Sequence, residues 1–418
     1  MEPIHTLFLE ALEAALKNET VDWQAPLPEE DWIALFQMAE QQRVLPMILE
    51  AVLRSEAGAQ MPRAVLMPVK QGVIRSVTMQ ALRTDAFFSL YDELRAAQLT
   101  PVVVKGVVCR ELYPNPDHRM SGDEDILLPR GQLRACHQAL LAAGLTTEAS
   151  EDETATEYET LFFSRDHLQH IEVHSSLFPP ESDALGDLAA LFDGTLDRAG
   201  DRPVAGHTLR TLSHTDHMLF LICHALKHFL HSGFGLRQVC DIALYANVHG
   251  GAIDWETVLR GCRAVRAEKF AAALFAIAAQ YLTLDVKRAQ LPEVWAAPDV
   301  NPAPMLADLL GSGIYGSASM SRRHSSRITL SAVSASKRGA TERAGVLKAA
   351  FPSAQALEGR YPYLKTKKWL LPVAWAQRIA QYRRETAHAR NNSAADAVRI
   401  GMERTALLKE YDIIRSDN

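Results

Sequence analysis

Apolar residues recur at helical spacing through most of the first hundred residues. In segments 32–36 and 86–94 the spacing of the apolar residues places them on one face of a helix. At 102–104 this pattern gives way to three consecutive valines, which are followed by Lys105-Gly106. A short β-branched run that ends in a glycine turn is typical of a buried strand. The chain is therefore predicted to change from helices to a sheet at this point.

Three further segments have the composition of strands. Segment 123–128 stops at Pro129, as strands commonly do. Segments 160–164 and 169–174 flank a short polar stretch, which predicts an antiparallel hairpin. Between these strands, segment 133–143 returns to helical spacing.

From Ser213 onward the pattern is helical again. Ser213 is predicted to cap a helix whose apolar stripe runs through 219–230. Three more helices are expected at 236–247, 254–265 and 267–282. Segment 311–339 is rich in Ser, Arg and Gly and poor in apolar residues, which is typical of a loop or linker.

The predicted fold class is α+β, with a small mixed sheet flanked by helical regions on both sides in sequence. A chain of 418 residues exceeds the roughly 250 to 300 residues that one hydrophobic core serves. We therefore expect several units. They are an N-terminal helical region (1–98), an α/β core (99–210), a helical domain (211–310), a flexible linker (311–345) and a basic C-terminal helical segment (346–418).

Composition excludes several classes of protein. A chain with 48% hydrophobic and 22% charged residues is neither disordered nor collagen-like. Its five cysteines are widely spaced without a C-x-x-C pair, which argues against a disulfide framework or a zinc ribbon. The sequence has no signal-like N-terminus and no apolar run of about 20 residues, so we expect a cytoplasmic protein without a transmembrane segment. Phosphate-loop, dinucleotide-binding, hydrolase-elbow and zincin motifs are all missing.

Charge is unevenly distributed along the chain. The formal net charge is -6, but residues 321–418 carry 19 Lys and Arg against 8 Asp and Glu. Such a basic tail can dock on the acidic remainder of the protein or meet nucleic acid, an anionic lipid surface or a polyanionic substrate.

The most informative residues are carboxylates at the predicted strand ends. If 123–128 is a strand, Asp123 and Asp125 project from one face and Glu124 from the other, because side chains alternate. Glu172 on a neighbouring strand can supply a third carboxylate. Three hard oxygen ligands suit Mg²⁺ or Mn²⁺ rather than zinc. Two such ions can activate an attacking hydroxyl and hold a leaving pyrophosphate.

Five motifs recur around these carboxylates, and they are Val104-Lys105-Gly106, Tyr113-Pro114, Arg119, Asp123-x-Asp125 and Ile171-Glu172-Val173-His174. Together they resemble the uncharacterised nucleotidyltransferase family of the DNA polymerase β-type nucleotidyltransferase superfamily. The resemblance implies a mixed-sheet nucleotidyltransferase core. It also implies transfer of a nucleoside monophosphate from a nucleoside triphosphate (NTP) to a hydroxyl or phosphate acceptor on a small molecule, sugar or peptide.

The resemblance assigns catalysis and metal binding to Asp123, Asp125 and Glu172. They would hold Mg²⁺ or Mn²⁺, and Glu172 would help to deprotonate the acceptor. The acceptor is unidentified, and a small molecule or peptide is favoured over RNA. Two alternatives are a catalytically inactive binding protein that keeps the fold, suggested by Glu124, and an RNA-directed transferase, suggested by the basic tail.

Nucleotide binding is assigned by the same resemblance to Lys105, Gly106, Arg119, Ser121 and Gly122. The two basic side chains would neutralise phosphate charge, and Gly106 would let the backbone approach the triphosphate. The superfamily usually has a serine after this glycine, whereas this chain has Val107. Glu124 takes a position that is usually apolar, so its carboxylate must be paired, exposed or ligating.

A second group of polar residues follows on the predicted helices. Four histidines share one side of the helix after Ser213, opposite its apolar stripe, and they are His217, His224, His228 and His231. Without a placed third ligand they predict a polar or cleft-lining face rather than a metal site. Arg237 and Asp241 are spaced i, i+4, which predicts a local salt bridge. The candidate cleft-lining residues are His174, His224, Lys227, His228, Arg237 and Asp241.

Overall fold

The chain begins with a layer of helices. The computed structural model describes residues 2–231, 233–312, 320–339, 354–357, 361–377 and 394–415. The first helices are α1 (Pro3–Leu16), α2 (Glu29–Gln41), α3 (Leu45–Leu53), α4 (Glu56–Ala59) and α5 (Arg63–Ala96). The predicted stripes at 32–36 and 86–94 lie on α2 and α5, and most of their apolar side chains are buried.

The sheet and its connecting helices follow. They are β1 (Val102–Val104), α6 (Gly106–Arg110), β2 (Glu124–Leu127), α7 (Leu133–Ala142), β3 (Leu145–Thr146), α8 (Glu151–Thr156), β4 (Glu159–Ser164), β5 (His170–His174), α9 (Gly186–Ala190), α10 (Thr195–Arg198), β6 (Gly200–Val204) and β7 (His207–Thr211). The strands predicted at 102–104 and 123–128 are confirmed, as is the antiparallel hairpin of β4 and β5. Strands β3, β6 and β7 were not predicted.

One mixed sheet contains all seven of these strands, in the order β3-β4-β5-β2-β1-β7-β6. The β2–β5 and β1–β7 pairs are parallel, and the other neighbours are antiparallel. The predicted α+β fold class is confirmed by this sheet and by the helices before and after it.

The C-terminal part of the described chain is helical. Its helices are α11 (His214–His231), α12 (Leu236–His249), α13 (Trp255–Ala264), α14 (Glu268–Tyr281), α15 (Glu293–Ala296), α16 (Ala303–Ser312), α17 (Met320–Lys337), α18 (Ala354–Leu357) and α19 (Ala394–Glu410). Ser213 caps α11 as predicted, because its Oγ accepts a hydrogen bond from the Asp216 amide at 3.1 Å. No helix among the described residues combines the length and apolar character that spanning a bilayer requires.

Alternation along the central strands gives the sheet two apolar faces. On the first face, Val102, Val104 and Leu127 belong to the same core as α11, α12 and the N-terminal helices. On the second face, Val103 and Ile126 pack in a separate core with the C-terminal half of α5 and with α7. The sheet is therefore covered on both sides, and its functional side chains must emerge near strand ends.

The prediction of a linker across 311–345 is wrong for the part that the structure describes. Helix α17 occupies 320–337, and its Ala332 and Val333 side chains are buried. Helix α17 packs closely against α19. A Cβ on Gly401 of α19 would lie only 2.7 Å from Ile328 Cδ1 of α17. Most of the remaining predicted linker, and much of segment 346–418, lies outside the described residues.

Arg404 connects α19 to the C-terminal end of α11. The guanidinium donates hydrogen bonds to the carbonyl oxygens of His231, at 2.8 Å, and Phe229. Thr329 Oγ1 of α17 donates to the Leu230 carbonyl at 2.5 Å. The last carbonyls of a helix have no partner within it, so these side chains satisfy groups that would otherwise be buried without one. Helices α17 and α19 thus hold the end of α11.

We predict that Arg404→Ala lowers the free energy of unfolding by about 2 kcal/mol, because it leaves buried helix-terminal carbonyls without donors. Chemical unfolding of wild type and variant measures the difference. Arg399→Ala is the matched control on the same helix, since its side chain is 61% exposed and should change stability by about 0.5 kcal/mol or less. Equal losses in the two variants would contradict the role assigned to Arg404.

Candidate functional site

The register of the sheet brings two carboxylates side by side. β2 and β5 are parallel neighbours, and Asp125 is paired directly with Glu172 across them. Directly paired residues point to the same face of a sheet, here the first face. His174 lies two residues after Glu172 and therefore shares that face. Asp125 and Glu172, which the sequence predicted to lie together, are therefore adjacent on the same face of the sheet.

Three of these side chains form a group that can hold a metal ion. One ligand atom each from Asp125, Glu172 and His174 lies within 4.8 Å of the others. His174 Nε2 is 3.0 Å from Asp125 Oδ1 and 3.7 Å from Glu172 Oε2. Burial disfavours the imidazolium, but the hydrogen bond to Asp125 and the nearby Glu172 carboxylate outweigh it and raise the pKa of His174 to about 9. The sequence predicted Asp123 in this set, whereas among the described residues the grouped third ligand is His174.

Lys105 carries a positive charge between the two aspartates. Its Nζ lies 2.9 Å from Asp125 Oδ2 and 3.5 Å from Asp123 Oδ2. Both aspartates therefore face one cation, as the predicted alternation requires. Burial opposes ionisation of Lys105, yet the two carboxylates raise its pKa. In return, Lys105 lowers the pKa of Asp123, so these charges persist at neutral pH.

The Lys105-Gly106 turn has an uncommon backbone conformation. Its φ angles are +46° and +43°, in the region that favours glycine. The Lys105 amide donates to His217 Nε2 at 3.2 Å, and burial lowers the pKa of His217 to about 3, so a neutral imidazole accepts this bond. A Cβ at position 106 would lie 2.0 Å from Glu124 Oε2. Both the φ angle and this close approach require glycine at position 106.

Glu124 supports this turn from the second face of the sheet. Its buried carboxylate forms an ion pair with Arg110 and accepts a hydrogen bond from the Val107 amide at 2.9 Å. Arg110 also donates to Ser121 Oγ at 2.7 Å. Of the three states expected for Glu124, the structure has the paired one. The pair links the turn to the segment that enters β2.

A cavity of about 150 Å³ opens beside the Lys105-Gly106 turn. All five predicted nucleotide-binding residues line it, together with Asp123. Four of the predicted cleft-lining residues do so as well, and they are His224, His228, Arg237 and Asp241. Asp125, Glu172, His174 and Lys227 are not among its lining residues. The three grouped ligands thus lie behind Lys105 as seen from the cavity.

Arg119 and Asp241 form a buried ion pair on the cavity wall. Nε and Nη2 of Arg119 each donate to one Asp241 oxygen at 2.7 Å, and the Tyr113 hydroxyl donates to Oδ1 at 2.7 Å. The predicted local salt bridge between Arg237 and Asp241 is wrong. The planar guanidinium of Arg119 matches both carboxylate oxygens, and Arg237 donates to the Met120 carbonyl instead. Arg119 therefore lines the cavity as part of a neutral pair.

The α11 histidines stand beside Lys105. The Nε2 atoms of His224 and His228 are 3.0 Å apart, and His224 Nε2 is 3.4 Å from Lys105 Nζ. Burial, followed by the charge of Lys105, lowers the pKa of both histidines, that of His228 to about 3. Both rings are therefore neutral at neutral pH. Lys227 lies away from the cavity, with its Nζ 3.8 Å from Glu159 Oε2.

Comparison with known proteins gives one match. A family model described as an uncharacterised nucleotidyltransferase matches residues 28–283, which is more than half of the chain. The chain belongs to this family. The matched region contains the whole sheet, the three grouped ligands and every predicted site residue. No curated protein and no solved structure matches the chain.

Arg43 also lines the cavity, although the sequence did not predict it. It reaches the cavity from the turn between α2 and α3, where its φ is +55°. The buried Gln42 side chain fixes this turn, since it accepts from the Leu236 amide at 2.8 Å and donates to the Leu309 carbonyl at 2.9 Å. No local pattern marks Arg43, because only the tertiary fold brings the turn to the start of α12.

Arg110 was also missed, although a signal for it was present. A carboxylate at position 124 on a packed strand needs a cation, and Arg110 lies one helical turn after the predicted glycine turn. His174 was predicted as a cleft-lining residue, and its two-residue spacing from Glu172 on one strand was the signal for its place among the grouped ligands.

We predict that Glu124→Gln lowers the free energy of unfolding by about 3 kcal/mol, because it leaves the Arg110 charge buried without its counter-ion. Chemical unfolding provides the measurement. Glu256→Gln is the control, since the Glu256 side chain is 85% exposed and its ion pair with Arg260 contributes little. If the two variants are equally stable, the Glu124–Arg110 pair does not support the turn as described.

Proposed function

We propose that the protein is a divalent-metal-dependent nucleotidyltransferase that transfers a nucleoside monophosphate from an NTP to a hydroxyl or phosphate acceptor. One observation carries this proposal. Paired carboxylates on the neighbouring strands β2 and β5 lie beside a cavity with a basic wall, and Lys105 contacts Asp125 and also lines the cavity. Carboxylates attract a metal ion and the basic wall attracts phosphates, which is the combination that metal-assisted phosphoryl chemistry requires.

Asp125, Glu172 and His174 would hold the ion, with Asp123 close by. His174 would release the proton that the two carboxylates favour on it, because a metal binds the neutral imidazole. Two carboxylate oxygens fit Mg²⁺ or Mn²⁺, and the imidazole nitrogen favours Mn²⁺ within that pair. When bound, such an ion supplies positive charge that stabilises the phosphates and favours ionisation of the attacking hydroxyl. Asp125 is nearly buried and anchored on β2, so its position is set by the sheet rather than by a loop.

The triphosphate would lie in the cavity, against its basic residues. Arg43 and Arg237 line one part of the wall and Lys105 another. Arg237 is more available than Arg119, because Arg119 is already paired with Asp241. The positive φ of Gly106 and the absence of its side chain would let phosphate oxygens approach the backbone of the turn.

The transfer itself follows from this arrangement. The acceptor oxygen attacks the α-phosphorus, the bond from that phosphorus to the bridging oxygen breaks, and pyrophosphate leaves with the bonding electrons. Glu172 would take the acceptor's proton, since its side chain is partly exposed and ionised. We propose a small molecule, sugar or peptide as the acceptor.

We expect thermal unfolding of the wild type to shift upward by a few degrees with at least one NTP in the presence of Mg²⁺ or Mn²⁺, because ligand binding stabilises the native state. The Asp123→Ala/Asp125→Ala variant and the addition of a chelator should abolish the shift. Asp201→Ala is the control, since this aspartate on β6 is half exposed and outside the site. An identical shift in the double variant would contradict the assigned ligands.

Isotope labelling then identifies the reaction. An NTP labelled at the α-phosphate should transfer its label to acceptors in a fractionated extract, whereas label at the γ-phosphate should leave in pyrophosphate. Transfer to RNA alone would favour the RNA-directed alternative. Metal-dependent NTP binding without any transfer would favour the inactive binding protein.

A further inference from the structure

Lys105 forms ion pairs with Asp125, a ligand of the proposed metal site, and with the neighbouring Asp123. Its Nζ is 2.9 Å from Asp125 Oδ2 and 3.5 Å from Asp123 Oδ2. The Lys105 side chain lines the cavity, whereas Asp125 does not. A cation that enters from the cavity therefore meets the ammonium group before it reaches the Asp125 carboxylate.

The backbone holds Lys105 in this place. Its φ of +46° is uncommon for a residue with a side chain. Its amide donates to the buried His217, and its carbonyl accepts from the Val108 amide at 2.8 Å. Backbone strain of this kind persists only where surrounding contacts enforce it. The backbone of Lys105 is therefore fixed, and its ammonium group can move only by rotation of the side chain.

The ammonium and a divalent ion exclude one another at Asp125. Mg²⁺ binds carboxylate oxygens at about 2.1 Å, so an ion on Asp125 Oδ2 would lie only a few ångströms from an unmoved Nζ. Two cations at that separation repel strongly in a buried site. Lys105 then loses the closer of its two carboxylate partners and keeps Asp123, whose Oδ2 is 3.5 Å from Nζ. Its nearest neutral neighbour, His224 Nε2 at 3.4 Å, faces the same cavity but carries no negative charge.

We propose that Lys105 is an internal counter-ion that holds the carboxylate site until nucleotide arrives, so that metal and NTP bind with positive coupling. This inference rests on the proposed function. The triphosphate in the cavity gives the Lys105 ammonium a new anionic partner. When the ammonium moves to the triphosphate, Asp125 and Asp123 become free to bind the metal. Without nucleotide, the metal must displace the ammonium from Asp125, which leaves it Asp123 alone of its two carboxylate partners, and the metal binds weakly.

The test is titration of the full-length protein with Mn²⁺ alone, with bound ion measured by electron paramagnetic resonance. Lys105→Met should bind Mn²⁺ roughly tenfold more tightly than wild type, within the usual range of coupling between sites. Lys105→Arg keeps the charge and should bind as weakly as wild type. Lys227→Met is the control, because it removes a nearby positive charge that does not contact Asp125. The affinity of this variant for Mn²⁺ should change much less. Lys105→Gln replaces the methionine variant if that variant does not fold.

If wild type and Lys105→Met bind Mn²⁺ with equal affinity, the inference is overturned. If Asp125→Asn loses Mn²⁺ binding in the same experiment, the proposed metal site is still supported. Equal tightening in Lys105→Met and Lys227→Met also overturns it, because the effect would then be general electrostatics. If neither wild type nor any Lys105 variant binds Mn²⁺, the proposed function fails together with the inference.

Discussion

The site depends on the compensation of negative charge at the centre of the sheet. Parallel pairing of β2 with β5 places Asp125 directly beside Glu172, on a face that is otherwise apolar. Carboxylates this close and this buried are stable together only if cations neutralise them. Lys105 and His174 perform that role in the chain as it stands. The turn at Lys105 and the contact of its amide with His217 of α11 bring a positive charge to this point.

A second buried ion pair, on the opposite face of the sheet, stabilises the Lys105-Gly106 turn. Glu124 alternates to the opposite face from Asp125 and pairs there with Arg110. The Asp125 carboxylate therefore faces the proposed metal site, while the Glu124 carboxylate supports the backbone of the turn. Helix α11 is held in turn by α17 and α19, which lie beyond the residues that match the family. This chain thus uses segments outside the family match to fix a helix that lines the cavity.

The local parts of this arrangement could be predicted from the sequence. Three valines before Lys-Gly specify a strand and a turn, and two-residue periodicity separates Glu124 from its flanking aspartates. Features that depend on long-range packing could not be predicted. Asp241 pairs with Arg119 rather than with Arg237, because bidentate geometry outweighs helical spacing. Arg43 comes to the cavity from a distant turn, and α17 forms in a segment whose small residues suggested a loop.

The most direct test of the central claim is a crystal structure with Mn²⁺ and a non-hydrolysable NTP analogue, with data collected at the manganese absorption edge. The account predicts an anomalous peak at bonding distance from Asp125 and Glu172. It also predicts a triphosphate against Arg43 and Arg237, and a Lys105 side chain turned from Asp125 toward phosphate. A nucleotide bound elsewhere, or a Lys105 ammonium still on Asp125 with no manganese peak, would contradict it.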